Sequence, residues 1–115
     1  MSMLLKTRRL DDVVILDLSG RVTIGEGTVM LRDTLQNHLA GGDRKFLVNL
    51  EGVDYIDSSG LGEFVTAFTT VRNEGGQLKL LNLTRRIHDL LQITKLLTVF
   101  EAFDSETAAL KSMRH

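Results

Sequence analysis

The 115-residue chain contains no cysteine and no proline. Without cysteine there is no disulfide framework, no thiol nucleophile and no thiolate metal site. That fits a reducing environment, and a cytoplasmic location is the expectation. Without proline there is no proline-rich linker to divide the chain. Charge of one sign is lacking too: 14 Lys and Arg stand against 15 Asp and Glu, a net charge of −1. There is no basic excess to wrap nucleic acid or to hold an anionic membrane surface. No apolar run approaches the ~20 residues that span a bilayer. The N-terminal "MSMLLKTRRL" places its charges after a very short apolar patch, which is not the order of a secretory signal. No histidine pair at ligand spacing, no Walker sequence and no G-x-S-x-G elbow occurs, so metal, nucleotide and nucleophile-elbow chemistry have little support. No cofactor and no catalytic activity are expected.

What is present suits one domain. The composition is 43% hydrophobic and 25% charged, ordinary globular values. A chain of this length buries roughly two thirds of its unfolded surface, enough for one core without staples.

Glycine does the punctuation. "VVILDLSG" (13–20) reads as a strand from its β-branched content, with Val14, Leu16 and Leu18 on one face. "MLLKTRRL" before it pairs as a first strand across a turn at Asp11-Asp12. Thr23 and Glu26 have capping-box spacing. A helix is predicted over 26–40, with Leu31, Leu35 and Leu39 at i, i+4 and i+8, ended by Gly41-Gly42. "KFLVNL" (45–50) is a nearly continuous apolar strand, buried on both faces, and "EGVDYI" a short turn. From Asp57 to Asn73 the pattern is helical, with Leu61, Phe64, Val65, Phe68 and Val71 on one stripe. "QLKLLNL" reads as a strand, "TRRIHDLLQI" as a helix and "LTVFEAF" as a last strand. "DSETAALKSM" closes the chain as a helix capped by Asp104. The order ββαβαβαβα predicts an α/β domain with a mixed sheet: an N-terminal hairpin, then βα units with parallel strands.

In such sheets functional sites gather where strand carboxyl ends meet helix amino ends. "YIDSSGLGEF" (55–64) lies at one such junction and Thr23 to Glu26 at another, and the two are expected to be neighbours. Asp57 or Ser58 suits a helix N-cap. A cap does not account for Gly60 and Gly62, since each glycine inside a helix costs roughly 1 kcal/mol against alanine. They serve either close packing on a strand or the close approach of another protein to a serine. A phosphate on Ser58 would sit at free helix amides and the positive end of the dipole. It would bring roughly −1.5 to −2 charge beside Asp57 and near Asp54.

Two other chemistries fit the residues less well. A hydrolase would need Ser58 with a base drawn from His38, His88 or His115, and no motif supports it. An aspartyl-phosphorylated, receiver-like domain would use Asp57 with Asp11-Asp12 for magnesium, but that pair sits in the predicted hairpin turn, at the wrong end of a strand. "GEG" (25–27) reads as a loop-to-helix junction, and Arg85 and Arg86 as a solvated helical face.

"DSSGLG", preceded by "VDYI" and followed by an amphipathic helix, resembles the phosphorylation motif of bacterial anti-sigma factor antagonists, single-domain proteins of the STAS type. "VVILDLSGRVT", "KFLVNLEGVDYIDSSGLG" and "GGQLKLLNLTRRIHDLLQIT" extend the resemblance over nearly the whole chain. It implies a STAS domain over 1–115 with helices mainly on one face of the sheet. It implies a partner-switching role in signal transduction and transcription regulation. The phosphoacceptor would be Ser58, with Ser59 as the second hydroxyl, and Gly60, Leu61 and Gly62 would match the family's glycine-leucine-glycine. The partners would be an anti-sigma factor serine kinase, bound when Ser58 is unphosphorylated so that a sigma factor is released, and a resetting serine phosphatase. The loop holding Arg21, Thr23, Ile24 and Glu26 would contribute to the partner surface. Many antagonists carry an aspartate shortly after the glycine that ends the second strand; here Val22, Thr23 and Ile24 occupy that region. A STAS scaffold in another bacterial signalling complex is the alternative role.

Overall fold

The computed structural model describes residues 3–114. Met1, Ser2 and His115, which figured in the signal-sequence and hydrolase arguments, lie outside the described residues. The elements are β1 (Met3–Leu10), β2 (Val13–Val22), α1 (Glu26–Ala40), β3 (Lys45–Ile56), α2 (Ser58–Asn73), β4 (Gln77–Leu81), α3 (Arg85–Ile93), β5 (Ala102–Phe103) and α4 (Glu106–Ser112). They form one five-stranded sheet in the order β1-β2-β3-β4-β5, with the first pair antiparallel and the rest parallel.

Strand alternation sorts the core into two layers. Val14, Leu16, Leu18, Phe46, Val48, Leu50, Leu78 and Leu80 face the buried stripes of α1 (Leu31, Leu35, Leu39), α2 (Phe64, Ala67, Val71) and α3 (Ile87, Leu91). On the other face Val13, Ile15, Leu47 and Leu81 pack against Ala109 and Met113 of the α4 region. Three helices therefore cover one face, and the short α4 covers part of the other, where Arg8 of β1 reaches Glu106 at 2.7 Å.

Five local expectations are corrected. "EGVDYI" is strand, not turn: β3 runs on to Ile56. Its pairing with β2 carries two irregularities, between Asp17 and Ser19 and between Gly20 and Arg21, so its 12 residues lie along 10 of β2. The extra residues leave Leu50, Val53 and Ile56 buried at a spacing of three, which matches no plain strand period. α1 lacks the Thr23–Glu26 box: its N-cap is Gly25, without a side-chain cap bond, and Glu26 is its first residue. The last strand shrinks to Ala102–Phe103 because a turn precedes it, where the Val99 and Phe100 amides bond back to the Leu96 carbonyl. α4 is capped by Ser105, one residue after Asp104, whose hydroxyl accepts from the Ala108 amide at 3.2 Å. The strand of "QLKLLNL" also stops early, at Leu81.

Candidate functional site

Two strand-to-helix junctions meet at one end of the sheet, and Asp57 joins them. Its backbone amide donates to the Val22 carbonyl at 3.2 Å, continuing the β2–β3 ladder beyond Ile56. Its side chain is the N-cap of α2, one oxygen accepting from the Gly60 amide at 2.7 Å. The other oxygen accepts from the Ile24 amide, across the loop before α1, at 3.1 Å. The Gly60 amide, then those of Ile24 and Ser59 and the charge of Arg21, hold the Asp57 carboxyl below the usual carboxylate range. The neighbouring loops expected from the sequence are thus in direct contact, through a carboxylate that serves both.

The serines stand beside this clamp. Ser58 is the first residue of α2 and is exposed; Ser59 is half-buried. With Asp57 as the cap, the Ser58 hydroxyl makes no hydrogen bond among the described residues. Leu61 packs against the core and Phe64 is buried within it, so the first turns of α2 are anchored to the sheet.

The glycines divide. A Cβ at Gly60 would run into the Val22 carbonyl oxygen, so this residue is required for helix-to-strand packing. A Cβ at Gly62 would meet nothing within 4 Å. Packing within the domain explains the first glycine and leaves the second unexplained.

Around the clamp, Arg21 and Ile24 are exposed, Ile24 to 75%, Thr23 is half-buried and Glu26 is exposed. The Arg21 guanidinium lies over the Tyr55 ring, 4.4 Å from its centroid. Tyr55 and Ile56 open onto a groove of about 410 Å³ floored by Ile87, Leu90 and Ile93 of α3. Sequence reasoning missed Glu63, which is buried on α2 and paired with Arg32 of α1 at 2.9 Å. The signal was present: Glu63 falls on the same inward stripe as Gly60, Phe64, Ala67 and Val71. Asp11 and Asp12 form the turn just before β2, and β3 runs parallel to β2, so they are at the opposite end of the sheet from Asp57. No helix among the described residues is long and apolar enough to cross a membrane.

The STAS domain family model matches residues 5–109, which includes both junctions. The chain belongs to the STAS domain family. Among curated relatives, this STAS domain is 33% identical to the anti-sigma-B factor antagonist of Bacillus subtilis over 85 residues, 74% of this chain and 76% of that one. The crystal structure of TM1081 from Thermotoga maritima superposes with a TM-score of 0.88 at 25% identity, covering 96% of this chain and 95% of that one. The Bacillus cell fate determinant SpoIIAA in its phosphorylated form matches with a TM-score of 0.76 at 18% identity, over 96% of this chain and 100% of its own, a likeness of fold.

Proposed function

We propose that this STAS domain is an anti-sigma factor antagonist switched by phosphorylation of Ser58. Unphosphorylated, it binds an anti-sigma factor kinase and so releases a sigma factor. Phosphorylated, it lets the kinase go, and a serine phosphatase resets it. The names of the relatives support the antagonist role, and one of the fold neighbours was solved in a phosphorylated form.

The observation that carries the switch is the position of Ser58. It is exposed at the first position of α2, and the cap that a serine often supplies there is already supplied by Asp57. The hydroxyl is therefore free for modification without loss of a structural bond. Helix amides and the dipole favour a phosphate there, while Asp57 beside it opposes any large gain in helix stability. The expected result is an unchanged fold with a changed surface. Arg21, Thr23, Ile24 and Glu26 form the neighbouring part of the contact surface, and Gly62 keeps the approach to Ser58 open.

Ser58→Ala and Ser58→Asp test this against the cognate kinase. Ser58→Ala retains binding and takes up no phosphate. Ser58→Asp weakens binding; a loss of about 3 kcal/mol would be roughly a hundredfold. If both variants bind like the parent and mass spectrometry finds no phosphate at residue 58 in the presence of ATP, the switch is wrong and the scaffold role takes its place. Phosphate on Ser59 alone would move the site by one residue and keep the mechanism.

A further inference from the structure

Arg21 is one of two arginines that rest on a ring, the other being Arg72 over Phe68 at the far end of α2, and it alone of the two stands beside the α2 amino end. Arg8, Arg9, Arg32 and Arg44 are each engaged by a carboxylate. Arg86 donates to the Asp54 backbone carbonyl at 3.3 Å. Arg21 is exposed, forms no ion pair among the described residues, and rests on the face of Tyr55, its register partner across the β2–β3 ladder. The next pair along is Val22 and Ile56, and the Val22 carbonyl then accepts the Asp57 amide, so Arg21 stands at the edge of the α2 amino end. Its charge already acts on the Asp57 carboxyl. An arginine stacked on an exposed ring is weakly held. A guanidinium paired with phosphate is held by charge-assisted, often bidentate bonds, which are much stronger.

We propose that Arg21 is the internal ligand of a phosphate on Ser58, and that phosphorylation draws its guanidinium off Tyr55. This rests on Ser58 being the phosphoacceptor. The partner surface then changes in two places. Charge enters at residue 58, and the Tyr55 face loses its arginine cover beside the groove of Ile87, Leu90 and Ile93. The same movement sets a cation between the phosphate and Asp57, which offsets the like-charge crowding that phosphorylation creates. The switch is a rearrangement of two side chains across one strand pair, with the backbone clamp at Asp57 intact. The other charged groups at this end of the sheet are Asp54 near the end of β3, Asp57 just after it, Arg85, Arg86 and Asp89 on α3, and Glu26 at the start of α1.

The test needs no kinase. Phosphoserine is placed at position 58 of the full chain during translation, and the phosphate is titrated by phosphorus NMR. In Arg21→Gln the phosphate should hold its last proton about threefold more tightly than in the parent, because the dianion has lost its cation. Arg86→Gln should leave the titration unchanged. Tyr55 is the only tyrosine and the chain has no tryptophan, so intrinsic emission reports this ring alone. Phosphoserine should change that emission in the parent and not in Arg21→Gln. Arg21→Lys should bring the proton affinity back down towards that of the parent, being a cation of similar reach. An unchanged titration in Arg21→Gln overturns the proposal, as does a response confined to Arg86→Gln. A protein that takes no phosphate from its kinase would fail the preceding section's test and leave this titration readable.

Discussion

Gly60 and Gly62 stand two residues apart on α2 and face different surroundings. Under Gly60 lies the Val22 carbonyl, at the point where β2 hands its last ladder bond to Asp57. Around Gly62 lies open space. The inner side of these first turns, with Gly60, Glu63 and Phe64, is buried by packing against β2 and α1. The outer side, with Ser58 and Gly62, is exposed, and stability alone would favour other residues there. The difference separates what the fold needs from what an approaching partner needs, within one helix and two turns.

Breaking the inner side should have the largest effect. Gly60→Ala pushes a methyl group into backbone that cannot rotate away, and overpacking of this kind costs about 3 kcal/mol. A urea midpoint lowered accordingly supports the packing role; a change under about 0.5 kcal/mol would mean that the junction opens more easily than its geometry suggests.

Gly62→Ala should act in the opposite sense and less strongly. It should stabilise the isolated domain by about 1 kcal/mol. The same substitution should weaken binding to the anti-sigma factor, measured by calorimetry, because the added methyl lies on the approach to Ser58. A variant that is more stable and binds equally well would remove the functional reason given for this glycine.

The smallest effect expected is in acid. The native Asp57 carboxyl is lowered by the Gly60 and Ile24 amides. Its contribution is therefore present above the unfolded carboxylate range, near pH 4, and is lost as pH falls through the lower native value. Asp57→Asn should flatten that part of the stability curve. Asp43, at the opposite end of the sheet, is held at about 2 by Arg9 and His38, so Asp43→Asn should likewise flatten the curve between about pH 4 and 2. Denaturant melts of each single variant across acid pH assign the share of each carboxylate. Identical curves for parent and Asp57→Asn would show that the clamp does not depend on charge.

Much of this arrangement was legible because it is local. Leu31, Leu35 and Leu39 set the inward stripe of α1, and Gly41-Gly42 stopped it where the structure stops it. The α2 stripe and its end at Asn73 followed in the same way, as did the β1–β2 hairpin. Topology suggests that the two junctions are neighbours, since both follow the carboxyl ends of adjacent strands; that Asp57 accepts from the Ile24 amide is seen only in the structure. The end of β3 was not legible. Each irregularity inserts a residue, so Leu50, Val53 and Ile56 alternate with pairs of exposed residues and imitate a turn. The α1 cap differs from the expected box for a related reason: Thr23 and Glu26 have the right spacing, but the amide of Ile24 between them is taken by a carboxylate 33 residues away.

The sequence by itself determined that this is one α/β domain with a serine at a strand-to-helix junction, because periodicity, glycine stops and the "DSSGLG" run are properties of neighbouring residues. Only the tertiary structure decided which residue caps α2, which glycine is structural, and that Arg21 lies on Tyr55. Those answers depend on what stands across the β2–β3 pair, and the register of that pair is set by irregularities that no short stretch of sequence reveals.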